Sequence, residues 1–351
     1  MAELKEIFEM VTQRTEPDLD AWEQQEQAQR VRARKRRTAA LGVAAAILLL
    51  LGVFAAALLR GPDTTQPGTD PAPPLDTTTN LVGFDVATGV SHAVAEDVAP
   101  FAAAPAPDGA HLAFVRVTEG HPQIFVSSLD GTHARQVTGL QGQKGCTCGA
   151  TAPTWIDPAT IVFVGVEESG DHRLYLMRLP DGRPELLANP KSGVWDMAPS
   201  WSDATGQLVY SEGPWDAGTP GSGAIRSIRL DGTDRASERL LADVPGATEP
   251  DWSPNGKRLV LQANVPKTYE TPDGGTSIYF SGASTAQVSP FTESFEATSP
   301  TWSPDGSKLA YVDQGIVVVV TVADGTTHEL GHGGDPSWSG DGSTVYAWTT
   351  G

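Results

Sequence analysis

Beyond residue 78 the apolar positions come in short runs separated by turn residues. The clearest runs are HLAFVRV (111–117), TIVFVGV (160–166), QLVYSEG (207–213), RLVLQAN (258–264), KLAYVDQ (308–314) and TVYAWTT (344–350). They are too short for helices and rich in β-branched and aromatic residues, which predicts strands. After each run except the last comes a second strand, a turn of small residues and a third strand. Asp-Gly pairs at 130, 181, 231 and 324 mark four of these turns, because glycine tolerates the positive φ of a tight antiparallel connection.

A related motif precedes each run. It reads APAPDG at 104–109, PTWIDP at 153–158, PSWSDATG at 199–206, PDWSPNG at 250–256, PTWSPDG at 300–306 and PSWSGDG at 336–342. The first copy lacks the tryptophan that the others keep at 155, 201, 252, 302 and 338. The pattern is therefore a repeat of four short antiparallel strands with a period between 36 and 51 residues. One such sheet cannot bury both faces alone, whereas radial stacking of several does so and shields their edges. This predicts an all-β fold, a β-propeller.

The sixth unit has only its first two strands before Gly351. Residues 79–95, TNLVGFDVATGVSHAVA, read strand, turn, strand with no opening motif in front of them. Joined to residues 336–350 they complete one blade, so the ring is predicted to close at six blades with strands from both ends of the domain. The Pro-x-Trp-Ser-Pro-Asp-Gly turn followed by Lys-Leu-Ala-Tyr-Val resembles the TolB-type propeller repeat. That repeat occurs in periplasmic TolB and in the propellers of prolyl oligopeptidase-like peptidases. The resemblance runs from about Thr79 to the C-terminus and implies a six-bladed propeller of WD40-like architecture. It says little about function, because one fold hosts many.

The N-terminal part follows a different pattern. Residues 38–59, TAALGVAAAILLLLGVFAAALL, carry no charge. As a helix they would extend roughly 33 Å, enough for a hydrocarbon core of about 30 Å. RVRARKRR precedes them and only Arg60 follows directly. This asymmetry predicts a cytoplasmic N-terminus, a single membrane span and an extracytoplasmic propeller. A cleaved signal peptide fits less well, because a 37-residue polar segment stands before the apolar run. Residues 60–78 contain five prolines and read as an extended linker. In the segment 1–37, Leu4, Ile7, Phe8 and Val11 fall on one face of a short helix. That face suits either a lipid surface or a cytoplasmic docking partner.

Charge narrows the partners. Residues 1–37 hold eight basic and eight acidic side chains, whereas residues 61–351 hold 15 basic and 35 acidic, net −20. So acidic a surface repels phosphate backbones, which argues against nucleic acid and for a protein or ligand partner. Cys146 and Cys148 lie on the predicted outer side, where an oxidising compartment favours a disulfide. Two thiolates alone do not complete a zinc site.

Catalytic motifs are not found: there is no G-x-S-x-G elbow, H-E-x-x-H, phosphate loop or EF-hand loop. No enzyme activity and no resident cofactor are therefore expected, although a site assembled across blades would leave no linear motif. Residues entering the innermost strands should line one mouth of the channel, and Asp196, Glu249, Glu296 and Asp335 are the acids there. Four carboxylates from different blades would suit Ca²⁺, or they are solvated loop acids. Trp215 and Tyr269, in long insertions of blades 3 and 4, are candidates for partner binding; equally, those insertions are tolerated surface loops.

The favoured reading is a membrane-anchored extracytoplasmic binding or sensing module, in an arrangement shared with membrane-bound anti-sigma factors but without their His-x-x-x-Cys-x-x-Cys. The alternatives are a propeller hydrolase or lactonase with a channel cation, and a TolB-like scaffold in an envelope complex.

Overall fold

Successive residues in the strongest apolar runs face different neighbours, which is why these runs are continuous rather than alternating. In blade 2, Ile161 and Phe163 pack toward blade 1 while Val162 and Val164 pack toward blade 3. The computed structural model describes residues 79–350 except 140–146, 168, 181, 188–193, 215–223, 231–238, 243–245, 266–274, 283–287 and 293. The expectations for residues 1–37, 38–59 and 60–78 fall outside the described residues, as do Trp215, Tyr269 and Cys146 and the side chain of Cys148. Among the described residues no helix is long and apolar enough to cross a membrane.

The strands form six four-stranded antiparallel sheets, arranged as a six-bladed propeller. The innermost strands are Ala104–Pro105, Thr147–Asp157, Val194–Ser202, Thr248–Trp252, Ala297–Trp302 and Gly334–Trp338, in blades 1 to 6. Blade 6 is composite, as its sequence halves predict. Gly334–Trp338 pairs with Thr344–Thr350, which pairs with Thr79–Asp85, which pairs with Ser91–Val98. The joining ladder runs unbroken from Thr79↔Thr350 to Asp85↔Thr344.

Six apolar clusters occupy the six junctions, each drawing on two consecutive blades. The motif tryptophans sit in five of them and pack on the preceding blade. Trp302, for example, lies with Val260 and Phe280 of blade 4, its ring 5.4 Å from that of Phe280. Trp155 also donates its indole N–H to Ala104 O of blade 1 at 2.7 Å. At the closing junction, where blade 1 has Pro105 in the tryptophan's place, Leu81 and Tyr346 meet Leu112 and Phe114 instead.

The Ser-Pro-Asp-Gly turns form as their chemistry dictates. Gly306 N–H donates to Ser303 O at 2.9 Å, and Asp305 accepts from the Ser303 hydroxyl and from Ser307 N–H at 2.7 and 3.0 Å. Because these donors favour the ionised form, Asp305 is held down at about 2. Its acidity thus belongs to the turn.

Gly131, at φ +79°, shows how tightly the ring closes. A Cβ there would lie 1.7 Å from Val94 O on the outer strand of blade 6, whereas one on Gly170, at φ +83°, would meet nothing within 4 Å. Gly170→Ala should then cost only the left-handed backbone penalty of about 1–2 kcal/mol. Gly131→Ala should cost at least about 3 kcal/mol, because backbone must also move. Thermal melts of the two variants check this, and equal shifts would mean that blades 6 and 1 are not locked at this point.

Candidate functional site

A β-bulge recurs at the start of the inner strands of blades 2 to 6. The register slips there between Thr151 and Thr154, Met197 and Ser200, Thr248 and Asp251, Thr298 and Thr301, and Gly334 and Ser337. Within each slip, the residue before the motif proline takes a left-handed φ of 45° to 51°: Ala152, Ala198, Glu249, Ser299 and Asp335. Such a conformation costs a non-glycine residue about 1–2 kcal/mol, and bulges commonly re-aim side chains. In blades 4 to 6 the proline and tryptophan are buried in the blade junctions, while the residue before the proline and the residue between the two are only partly covered. Both of these line a central cavity of about 670 Å³.

The cavity is chemically divided. In blades 1 to 3 the positions before the motif are Ala102, Ala152 and Ala198, and Phe101, Val164 and Met197 add apolar wall. In blades 4 to 6 the same positions carry Glu249, Ser299 and Asp335. Ser299 joins the two acids. Its N–H donates to Glu249 Oε2 at 2.8 Å and to Gln262 Oε1 at 3.1 Å, and its hydroxyl donates to Asp335 Oδ1 at 2.7 Å. Trp348 donates its indole N–H to Asp335 Oδ2 at 3.1 Å. That ring has room because the preceding residue is Gly334, where a Cβ would lie 2.2 Å from it.

A third acid lies one layer deeper. Asp251 accepts from the Ser200 hydroxyl of blade 3 at 2.6 Å, and from Trp302 N–H and the Thr301 hydroxyl of blade 5 at 2.7 and 3.1 Å. It therefore ties three blades together. Burial pushes its carboxyl up, against the pull of these donors. Burial likewise raises Glu249, helped by the like charge of Asp335, to about 7.

Of the four acids expected together at the channel mouth, the structure brings only Glu249 and Asp335 into contact with one neighbour. Asp196 lies two residues ahead of Ala198, buried at 6 % exposure. Glu296 is exposed, three residues ahead of Ser299, and bridges to Thr276 of blade 4. Counting back from the motif cannot reveal the bulge, which turns the residue directly before the proline into the cavity and leaves Asp196 and Glu296 out of its lining. Among the described residues, no group of three or more His, Cys, Asp or Glu side chains is placed to hold a metal ion.

Sequence reasoning missed Ser299, Asp251 and Trp348. Comparing the motif copies position by position would have singled out the first two; the third is brought in by the hairpin of Gly334–Trp338 with Thr344–Thr350, whose register sets Trp348 opposite Gly334. His172 was missed as well: it lines the cavity and stacks on Trp195, with ring centres 3.7 Å apart. Its burial lowers the imidazole below its ordinary range.

No protein-family model and no curated protein matches the sequence. Solved structures do match. A putative TolB from Agrobacterium tumefaciens is 19 % identical with a TM-score of 0.62, covering 78 % of this chain and 99 % of that one. TolB from Acinetobacter baumannii is 15 % identical with a TM-score of 0.53, covering 78 % and 66 %. A chain of a nidogen/laminin complex is 14 % identical with a TM-score of 0.52, covering 77 % and 97 %. At these identities the likeness establishes the fold, a TolB-like six-bladed propeller.

The raised carboxyl of Glu249 has a definite stability signature. A carboxyl that holds its proton more tightly when folded contributes stability that is fully present below its ordinary value near 4.5 and is lost as pH rises through about 7. Melting curves from about pH 5 to about pH 8 should show wild type losing stability relative to Glu249→Gln, whose amide does not titrate. A constant offset between the two would show that Glu249 titrates as in water.

Proposed function

We propose that the chain is a single-pass membrane protein that presents its propeller on the outer side of the membrane and receives a protein partner at the central cavity. The observation that carries this reading is the cavity itself, which combines an apolar wall with carboxylates and has no lysine or arginine among the described residues lining it. A concave apolar site with a few convergent polar groups is the usual form of a recognition site. The apolar run 38–59 and the basic residues before it support the anchor and its direction. The net charge of −20 beyond it suits a partner with a basic face. One structural neighbour comes from a nidogen/laminin complex, which is consistent with protein binding. Residues 1–37 would then lie inside, with the face Leu4, Ile7, Phe8 and Val11 available to a cytoplasmic partner.

Two measurements test this. A photo-crosslinking amino acid at Ala198, in the full chain in its native membrane, should yield a discrete crosslinked protein. The same residue at Val90, 65 % exposed on a turn of blade 6, should not; equal products from both positions would remove the cavity from the reading. For orientation, Val90→Cys should add labelling by a membrane-impermeant maleimide in intact cells above that of the native cysteines, and Val11→Cys should add none. Labelling of Val11→Cys would overturn the topology.

A further inference from the structure

The division of the cavity says more about its occupant than that it is a protein. Among the described lining residues, carboxylates stand on Glu249 and Asp251 of blade 4 and Asp335 of blade 6, and on Asp203 of blade 3, which accepts the Trp201 indole N–H. No lysine or arginine stands among the described lining residues, and burial lowers the imidazole of the one histidine there, His172, below its ordinary range. Asp251 is occupied by donors from both neighbouring blades, whereas Glu249 and Asp335 share Ser299 and stand in the partly covered layer ahead of the motif. A carboxylate has about four acceptor sites. Among the described residues Ser299 is the donor to Glu249, and Ser299 and Trp348 are the donors to Asp335, which leaves acceptor capacity on both.

Other polar groups in this half also go unused. Ser337 lines the cavity and its hydroxyl has no partner, nor do the indole N–H groups of Trp252 and Trp302, which are 4 % and 7 % exposed. The other motif tryptophans are satisfied: Trp155 donates to Ala104 O, Trp201 to Asp203 and Trp338 to Thr301 O. Directly across from the polar half, Ala102, Ala152 and Ala198 keep side chains short and leave space open toward Phe101 and Met197.

Resting on the reading of the cavity as the partner's site, we infer that the cavity selects a lysine or arginine side chain flanked by apolar residues. The ammonium or guanidinium takes the free carboxylate sites of Glu249 and Asp335, and the flanking apolar groups lie on the alanine side. A norleucine in the same place would fill the space and leave the remaining acceptor sites of both carboxylates unfilled, so discrimination comes from unpaired acceptors as well as from attraction. A small free amine has the same charge but nothing to cover the apolar wall, and should bind weakly.

The test uses the full chain in detergent and two capped tripeptide probes, acetyl-Leu-Lys-Leu-amide and its norleucine counterpart, with binding measured by calorimetry. The lysine peptide should bind at least about tenfold tighter than the norleucine peptide. Glu249→Gln and Asp335→Asn should each remove most of that preference, with melting curves confirming that both variants are folded. Ala152→Trp, which fills the apolar half, should abolish binding of both peptides. n-Butylamine binding as tightly as the lysine peptide would keep the cation and move its source from a partner protein to a free amine. Equal affinity for the two peptides in wild type, lost in Ala152→Trp, would overturn the cation inference and leave the cavity as a binding site. Failure of either peptide to bind, or binding indifferent to Ala152→Trp, would overturn it as well.

Discussion

A four-stranded sheet with apolar residues on both faces has to be covered on both sides, and most of this structure follows from that requirement. Each blade supplies one face to the blade before it and the other to the blade after. Six clusters at six junctions satisfy the requirement only if the last junction is made too. The unbroken ladder between Thr79–Asp85 and Thr344–Thr350 makes it, with strand hydrogen bonds in place of a covalent link. Apolar burial contributes about 25 cal/mol per Å². An open ring would leave the faces now covered by Leu81, Tyr346, Leu112 and Phe114 in water.

Closure also creates the site. When six sheets converge, their inner strands cannot all reach the axis, and a channel remains. What enters it is set by the bulge before each Pro-x-Trp. The proline and tryptophan are committed to the junctions, so the chain turns the preceding residue toward the axis at the cost of a left-handed backbone. That position is structurally tied in its backbone yet open in its side chain. It is Ala152 and Ala198 in blades 2 and 3 and Glu249, Ser299 and Asp335 in blades 4 to 6, which lets the same scaffold carry an apolar wall and an acidic one.

The acids of the molecule fall into distinct physical situations. Asp305 is strongly ionised because turn donors surround it, and it holds a hairpin together. Asp251 is buried and shared among three blades, acting as a polar rivet near the axis. Glu249 is raised to about 7 by burial and by the nearby charge of Asp335.

The fold was legible in the sequence almost throughout, because strand, turn and junction each have a local chemical signature that six copies repeat. The composite sixth blade could be read from two halves that lacked each other. The site was legible only in part. Glu249 and Asp335 were recognisable as acids near an inner strand, but Asp196 and Glu296 looked equivalent to them. Only the bulge, a property of paired strands, separates residues that turn inward from residues two or three positions away that do not. Nothing in the local sequence ties Ser299 to residues 50 positions before it and 36 after it. Nor does it bring Trp348 to Asp335, a contact that needs the bare backbone of Gly334 and the second strand of the composite blade. Repetition along the chain therefore determined the architecture. The division of the cavity depends on which blades become neighbours around the axis, and only the closed ring decides that.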